Sequence, residues 1–275
     1  MPGRWTDLDR PPLSAGRLNV ALCRRDGGAG GLWREIRVVE ETGSTNADVR
    51  AAAEAGDREG LVVIAERQRG GRGRLDRQWE SPARAGVLMS ALLRPTVPTA
   101  RLPLLPLLTG LAVVEAVRAV AELPAMVKWP NDVLVDGRKL AGILVERTAD
   151  GAVVVGVGVN VSTKADELPV PTGTSIQLAG GASDRESLAK EILRAFERRY
   201  VAFNRVAGAS ESVLPAYREV CETIGREVEV QLPDGASARG VAVTVDDGGM
   251  LVVREPGGVE RAWSAGDVVH VRAER

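Results

Sequence analysis

A chain of 275 residues with 44% hydrophobic content can bury a sizeable core and is long enough for one large domain plus a small one. Its formal net charge of −1 gives no global basic field for nucleic acid, no run of ~18 apolar residues predicts a membrane span, and the N-terminus lacks the charged-then-apolar layout of a signal peptide. Two cysteines, Cys23 and Cys221, fit a reducing cytoplasm and no disulfide framework, and a single histidine, His270, excludes a Cys/His zinc site.

Residues 1–30 are rich in Arg, Gly and Pro and read as a mobile arm with room for one short helix. Nothing in them has the pattern of a helix-turn-helix domain. Arg34 to Val39 reads as a strand. Thr45-Asn46-Ala47-Asp48 reads as a capping box with Thr45 as cap, opening a helix that Gly56 stops. Leu61 to Glu66 and Val87 to Leu93 are apolar strands, the second bounded by Pro95. An apolar helix spans Leu102 to Leu123 and ends before Pro124. Val127-Lys128-Trp129 opens a short strand, and Asp136-Gly137 forms a hairpin turn. Leu140 to Glu146 and Val153 to Val161 read as further strands. Ser183-Asp184-Arg185-Glu186 is a second capping box, with a long amphipathic helix to Asn204, and a last helix covers 211–223.

After Gly225 the period changes. Val228, Val230 and Leu232 alternate with Glu227, Glu229 and Gln231, the pattern of a half-buried strand. Turns at Pro233-Asp234-Gly235, Asp246-Asp247-Gly248-Gly249 and Pro256-Gly257-Gly258 separate strands at 238–245, 250–255, 259–264 and 268–272. Five short strands with tight turns predict a small SH3-like barrel. The expected architecture is therefore α+β: a mixed-sheet domain over 31–224, then a β-barrel over 226–272.

Three segments stand out chemically. In Gly70-Gly71-Arg72-Gly73-Arg74, followed by Arg77-Gln78-Trp79, glycines let the backbone approach a ligand while guanidinium groups neutralise negative charge. No phosphate-binding P-loop is present, and Gly71-Arg72-Gly73 lacks the third glycine of the dinucleotide fingerprint. In Lys128-Trp129-Pro130-Asn131-Asp132 the proline stiffens the backbone from which Lys, Asn and Asp project. In Arg138-Lys139-Leu140-Ala141-Gly142 a basic pair enters an apolar strand beside small residues that leave room for a ligand. Of 36 Lys and Arg only four are Lys, and two of these, Lys128 and Lys139, fall in the last two segments. Gly156, Gly158 and Asn160 share one face of a strand, which makes either a slot beside the sheet or a bulge. His270 lies in a barrel strand and is read as a surface or core residue of the barrel, and neither cysteine has the His/Asp context of a thiol nucleophile.

Thr42-Gly43-Ser44-Thr45-Asn46, Gly71-Arg72-Gly73-Arg74, Lys128-Trp129-Pro130-Asn131-Asp132, Lys139-Leu140-Ala141-Gly142 and Gly156-Val157-Gly158-Val159-Asn160 occur in this order. Together they resemble the biotin protein ligases, or biotin–[acetyl-CoA-carboxylase] ligases, over residues 36–272. The resemblance is to the short, monofunctional type without an N-terminal DNA-binding domain. It implies the class II synthetase-like biotin–lipoate ligase fold, ATP with Mg²⁺, biotin as substrate, and a biotin carboxyl carrier domain as cytoplasmic partner, with neither DNA nor membrane. The implied reaction joins the biotin carboxylate to the α-phosphate of ATP and then transfers biotin to a carrier lysine. The implied catalytic residues are Lys139, Arg74, Asp132 and Lys128, with Asp132 orienting Lys139 or helping to deprotonate the acceptor lysine. Implied biotin contacts are Ser44, Thr45, Asn46, Gln68, Gly71, Arg72, Arg74, Lys139 and Gly142. Implied ATP or adenylate contacts are Arg72, Arg74, Trp79, Asn131, Lys139, Gly158 and Asn160, and no residue is assigned to a metal. One departure is Leu75-Asp76 after Arg74, where many relatives carry a further basic residue and a glycine.

Three competing readings differ in what they need. A lipoate ligase or octanoyltransferase shares the implied fold but lacks this combination of Gly/Arg loop and Lys-Trp-Pro-Asn-Asp. A nucleic-acid-binding module using the Arg/Gly loop would need more than 3% aromatic residues for stacking platforms. A binding protein without turnover has no need of both lysines and the loop arginines.

Overall fold

The computed structural model describes residues 9–23, 31–75, 77–231, 237–264 and 267–270. Seven strands form the main sheet: β1 (Glu35–Val39), β2 (Leu61–Ala65), β3 (Gly86–Leu93), β4 (Met126–Lys128), β5 (Asp132–Val135), β6 (Arg138–Arg147) and β7 (Val153–Asn160). Their spatial order is β1-β2-β3-β7-β6-β5-β4. β1 and β2 run parallel and the other pairs antiparallel, so the sheet is mixed, as expected.

Both faces of the sheet are covered, which explains why β2 and β3 are buried at every position. On one face Val62, Ile64, Val87, Met89, Val155 and Val157 join the large core under α3 (Leu105–Ala121) and α4 (Arg185–Arg205). On the other, Val63, Leu92 and Val154 meet Val49 and Ala53 of α2 (Thr45–Glu54) in a smaller core. That second face is only partly covered by α2, and the uncovered part is the floor of the candidate site.

α3 is apolar nearly all round because it lies between the sheet and α4. Pro106 suits its first turn, and Glu122 ends it with a left-handed φ of 56°. Together with the 3₁₀ turn before it, the stretch Thr99–Ala121 contains an 18-residue window of mean hydropathy 1.8, so by length and composition it could cross a membrane. Glu115 and Arg118 interrupt it, so it is not an unbroken apolar run, and 72% of its 18-residue apolar window is buried within the fold as a core helix.

Both helix caps are displaced by one residue from the expected positions. Ser44, not Thr45, is the N-cap of α2, because the Thr45 hydroxyl is committed to Gln68 and Ser90. Asp184, not Ser183, caps α4, accepting from the backbone N–H groups of Glu186 and Ser187. The expected helix over 211–223 is reduced to a 3₁₀ turn at Ser210–Ser212 and α5 (Leu214–Glu219). Beyond it the chain turns extended, so that Cys221 bridges Val127 at the edge of the sheet.

The mobile-arm expectation fails for residues 9–23. α1 (Ala15–Leu22) is capped by Ser14, and Leu13 and Leu18 are buried in the large core. Arg10 pairs with Glu167 at 2.6 Å. The Leu13 N–H donates to Glu66 Oε1 at 2.6 Å, and Arg185 donates to the Pro11 carbonyl at 3.0 Å. Glu66 and Arg185, 2% and 5% exposed, form an ion pair beneath this segment. Removing one partner would strand a buried charge, which costs about 3–5 kcal/mol. Arg185→Met is therefore expected to lower unfolding free energy by about that amount in urea titration. A midpoint equal to wild type would show that Glu66 needs no partner.

The C-terminal unit is a five-stranded antiparallel sheet of β8 (Glu227–Gln231), β9 (Ser237–Val245), β10 (Leu251–Arg254), β11 (Glu260–Trp263) and β12 (Asp267–His270), in order β11-β10-β9-β8-β12. This is the strand content of a small SH3-like unit. The expected turn at 233–235 and the end of the last strand at 271–272 lie outside the described residues. The turn after β9 docks on the larger domain. Trp129 Nε1 donates to the Gly249 carbonyl at 2.9 Å, and Arg101 donates to the Asp247 carbonyl at 3.1 Å.

Candidate active site

Strand register builds the floor. Gly158 on β7 lies opposite Leu88 on β3 and Gly142 on β6, and Gly142 lies opposite Asp132 on β5. Gly156 likewise lies opposite Ser90 and Leu144. Alternation sends Val155, Val157 and Val159 into the core and Gly156, Gly158 and Asn160 to the site face. Pairing on both sides of β7 is regular, so the two glycines form a slot and not a bulge.

Trp79 fills that slot. A Cβ on Gly158 would lie 2.6 Å from Trp79 Cε2, and one on Gly142 would lie 2.9 Å from Trp79 Cζ3. The indole N–H is buried and has no hydrogen-bond partner among the described residues, which leaves a donor for an incoming ligand.

Lys139 reaches the same face through an irregularity. Strict alternation from Gly142 would turn Lys139 to the opposite side of the sheet. Between Val133 and Leu134 the β5–β6 register shifts by one residue: Ala141 pairs with Val133, but Lys139 pairs with Leu134. Leu140 turns into the core, and Lys139 is re-aimed to the face of Asp132 and Gly142. Its Nζ is 2.8 Å from Asp132 Oδ1 and stands 5.8 Å from the Trp79 ring centroid. Asp132, expected either to orient Lys139 or to help deprotonate the acceptor lysine, thus contacts Lys139 directly.

Lys128 and Asp132 are paired across the β4–β5 hairpin, joined by a cis Trp129–Pro130 peptide. Asn131 ties the hairpin to β6: its carbonyl accepts from the Ile143 N–H at 2.9 Å, and its Nδ2 donates to the Ile143 carbonyl at 3.0 Å. Arg74 reaches across from the Gly/Arg loop to Asn131 Oδ1 at 3.3 Å. The loop is closed on itself by the Trp79 N–H donating to the Gly71 carbonyl at 2.8 Å. Leu75 has a positive φ of 54°, and Asp76 lies outside the described residues.

Ser44, Thr45, Asn46 and Gln68 gather at the other end. Gln68 Oε1 accepts from the Thr45 N–H at 2.8 Å and from its hydroxyl at 3.0 Å. Both ends of the Asn46 amide are engaged: Ser90 Oγ donates to Oδ1 at 2.6 Å, and Nδ2 donates to Glu146 Oε2 at 2.7 Å. Asn160 donates to the Thr174 carbonyl at 3.0 Å and anchors the chain after β7.

The candidate site residues named from the sequence, except Gly71, line one cavity of about 1720 Å³. A single small-ligand pocket is typically ~300–1,000 Å³, so two substrates can be held side by side. Cations from three separate segments, Arg72 with Arg74, Lys128, and Lys139, converge on it, which suits a polyanionic ligand. The C-terminal sheet supplies part of the rim. There His270 is 3.2 Å from Thr223 Oγ1, with its pKa pushed down to about 4 by burial and by Lys128 and Arg226. It is neutral at pH 7 and adds no charge. Burial also raises the Cys221 thiol, which keeps it protonated.

Sequence reasoning missed Ser90, the one polar side chain of β3, Glu146 near the end of β6, and the loop 168–173. This loop runs beside Lys139, whose N–H donates to the Thr172 carbonyl at 2.9 Å. Parity could have flagged Ser90 and Glu146, since each shares its face with the paired glycines. Among the described residues no group of three or more His, Cys, Asp or Glu could hold a metal.

Two family models, curated proteins and solved structures match this chain. Residues 39–163 match the Biotin/lipoate A/B protein ligase family, and residues 223–271 match the Biotin protein ligase C terminal domain. The biotin–[acetyl-CoA-carboxylase] ligase of Mycobacterium tuberculosis is 42% identical over 274 residues, covering 97% of this chain and 100% of that one. The bifunctional ligase/repressor BirA of Escherichia coli is 30% identical over 281 residues, covering 100% of this chain and 84% of that one. Among solved structures, the biotin protein ligase of Aquifex aeolicus in complex with biotin and ATP superposes with a TM-score of 0.74 at 27% identity, covering 86% of this chain and 99% of that one. That of Leishmania major in complex with biotinyl-5-AMP does so with a TM-score of 0.59 at 26% identity, covering 84% and 98%.

Proposed function

The chain belongs to the biotin protein ligase family, and from that premise we propose that it activates biotin with ATP and transfers it to a carrier-protein lysine. In the first step a biotin carboxylate oxygen bonds to the α-phosphorus of ATP and pyrophosphate leaves, giving biotinyl-5′-AMP. In the second the acceptor amine attacks the anhydride carbonyl and loses a proton, and AMP departs with the bonding electron pair.

The difficulty of the first step is electrostatic. At ~4 Å two unit negative charges repel by about 4 kcal/mol at an effective dielectric of ~20. Fixed positive charge between them lowers that barrier without reorganisation. The observation that carries the proposal is Lys139, turned onto the site face by the register shift and held by Asp132 at 2.8 Å beside the Gly142–Gly158 slot. In this arrangement Ser44, Thr45 and Gln68 receive the biotin ring system and the nucleotide rests against Trp79, whose indole fills the glycine slot. Lys139 lies between the two, and Arg72 and Arg74 cover them. Asp132 keeps the lysine ammonium in place and, once the adenylate exists, is the nearest carboxylate to accept the proton of the acceptor amine.

Mg²⁺ typically takes one or two carboxylates plus phosphate oxygens. Here Asp132 is committed to Lys139 and no carboxylate cluster exists among the described residues, so the ion is proposed to enter on the triphosphate, where it supplies charge neutralisation. The acceptor is proposed to be a biotin carboxyl carrier domain. The two cysteines, free in the structure, fit the cytoplasm as the compartment.

The experiment is direct: purified protein, biotin, MgATP and an isolated carrier domain, read by intact mass. One biotinyl group added to wild-type carrier, and none to a carrier whose acceptor lysine is replaced by arginine, is expected. Unmodified carrier would refute the transfer step. Arg74→Ala should release the adenylate about tenfold faster, because a charge-assisted contact over the intermediate is lost. An unchanged release rate, measured by filter retention of labelled adenylate, would count against its covering role.

A further inference from the structure

Glu146 lies near the end of β6 on the same face as Gly142 and Leu144, and opposite Val154. Its carboxylate gathers three donors from two other elements. Asn46 Nδ2 of α2 donates to Oε2 at 2.7 Å, Arg50 Nη2 of α2 lies 2.6 Å from Oε1, and Arg72 Nη2 of the Gly/Arg loop lies 3.3 Å from Oε2. Asn46 has little freedom to find another partner. Its Nδ2 has only the Leu144 carbonyl, at 3.4 Å, as an alternative, and its Oδ1 is held by Ser90. On the opposite side a Cβ on Gly156 would lie 2.2 Å from that Oδ1, so the amide is wedged against bare backbone. Ser90 Oγ also lies 2.7 Å from Thr45 Oγ1, which extends the network to Gln68.

We propose that Glu146 is a positioning residue for the ligase reaction. Its carboxylate orders the biotin-side wall through Asn46 and tethers the covering loop through Arg72. The inference rests on the ligase reading above. The two tasks separate by chemistry. Asn46 needs only an acceptor oxygen, which an amide retains. Arg50 and Arg72 need the negative charge, which an amide lacks.

The test uses Glu146→Gln and Glu146→Leu in the full-length protein, with thermal melting to monitor the fold. Loss of a half-buried ion pair corresponds to about a fivefold change in equilibrium. Glu146→Gln is therefore expected to speed adenylate release about fivefold while KM for biotin stays within about twofold. Glu146→Leu should raise both. Glu146→Gln should add nothing in an Arg72→Ala background, since the contact it weakens is already gone. Unchanged release in Glu146→Gln, or independent multiplication of its effect with that of Arg72→Ala, would overturn the proposal. Should Glu146→Leu fail to fold, Glu146→Gln alone decides. Wild type run in parallel separates the two levels: absence of any adenylate there refutes the ligase reading, not the role of Glu146.

Discussion

Lys139→Ala is expected to lower adenylate formation by about 10²–10³-fold or more while leaving the melting temperature close to wild type. The Lys139 side chain is one-third exposed and pairs only with Asp132 in the described network, so its loss opens no core cavity. The neighbouring Leu140 carries the packing at this point of β6 and is untouched. In the proposed arrangement the substitution removes a positive charge from between the two reacting anions and leaves the Asp132 carboxylate facing them instead, so repulsion is added as attraction is lost. Lys139→Arg would not restore the rate, since a planar fork cannot take the place of a compact ammonium above the Trp79 ring. Labelled ATP turnover with saturating biotin gives the answer, and an alanine variant within tenfold of wild type would remove Lys139 from its assigned place.

The second large effect is expected from Gly158→Val. β7 already carries Val153, Val154, Val155, Val157 and Val159, so another valine suits the strand and the fold should persist. On the site face, however, even a Cβ would stand 2.6 Å from Trp79 Cε2 and 2.7 Å from its Nε1. The indole has nowhere to retreat along the floor, because Gly142 holds its other edge and Lys139 stands over the ring. Valine would therefore displace Trp79, the surface against which the nucleotide is proposed to rest. Adenylate formation should fall about a hundredfold, with the loss concentrated in KM for ATP, and Gly158→Ala should be milder. Unaltered KM for ATP in the valine variant would show that the nucleotide does not rest against Trp79.

Much of this site was legible because each motif keeps its chemistry within a few residues. The Gly/Arg loop, the Lys-Trp-Pro-Asn-Asp hairpin and the glycine pair on β7 are local signatures, and apolar strands bounded by Pro or Gly placed them on a sheet. The register was not legible. Lys139 sits on the correct face only because of a one-residue shift against β5, and period-2 reasoning would have assigned it to the core side. Capping was misread by one residue at both helices because Thr45 had a stronger tertiary partner in Gln68 and because Asp184 outcompeted Ser183. Residues 9–23 looked like an arm, since their partners Glu66, Glu167 and Arg185 lie far along the chain. Ser90 is a lone polar side chain in β3 and Glu146 sits at the charged end of β6, and only the fold reveals that both converge on Asn46.

The most direct test of the central claim is adenylate formation by the purified protein with α-labelled ATP, Mg²⁺ and either biotin or lipoate. Labelled biotinyl-5′-AMP with biotin, and none with lipoate, is the expected result. Product only with lipoate, or with neither acid, would contradict it.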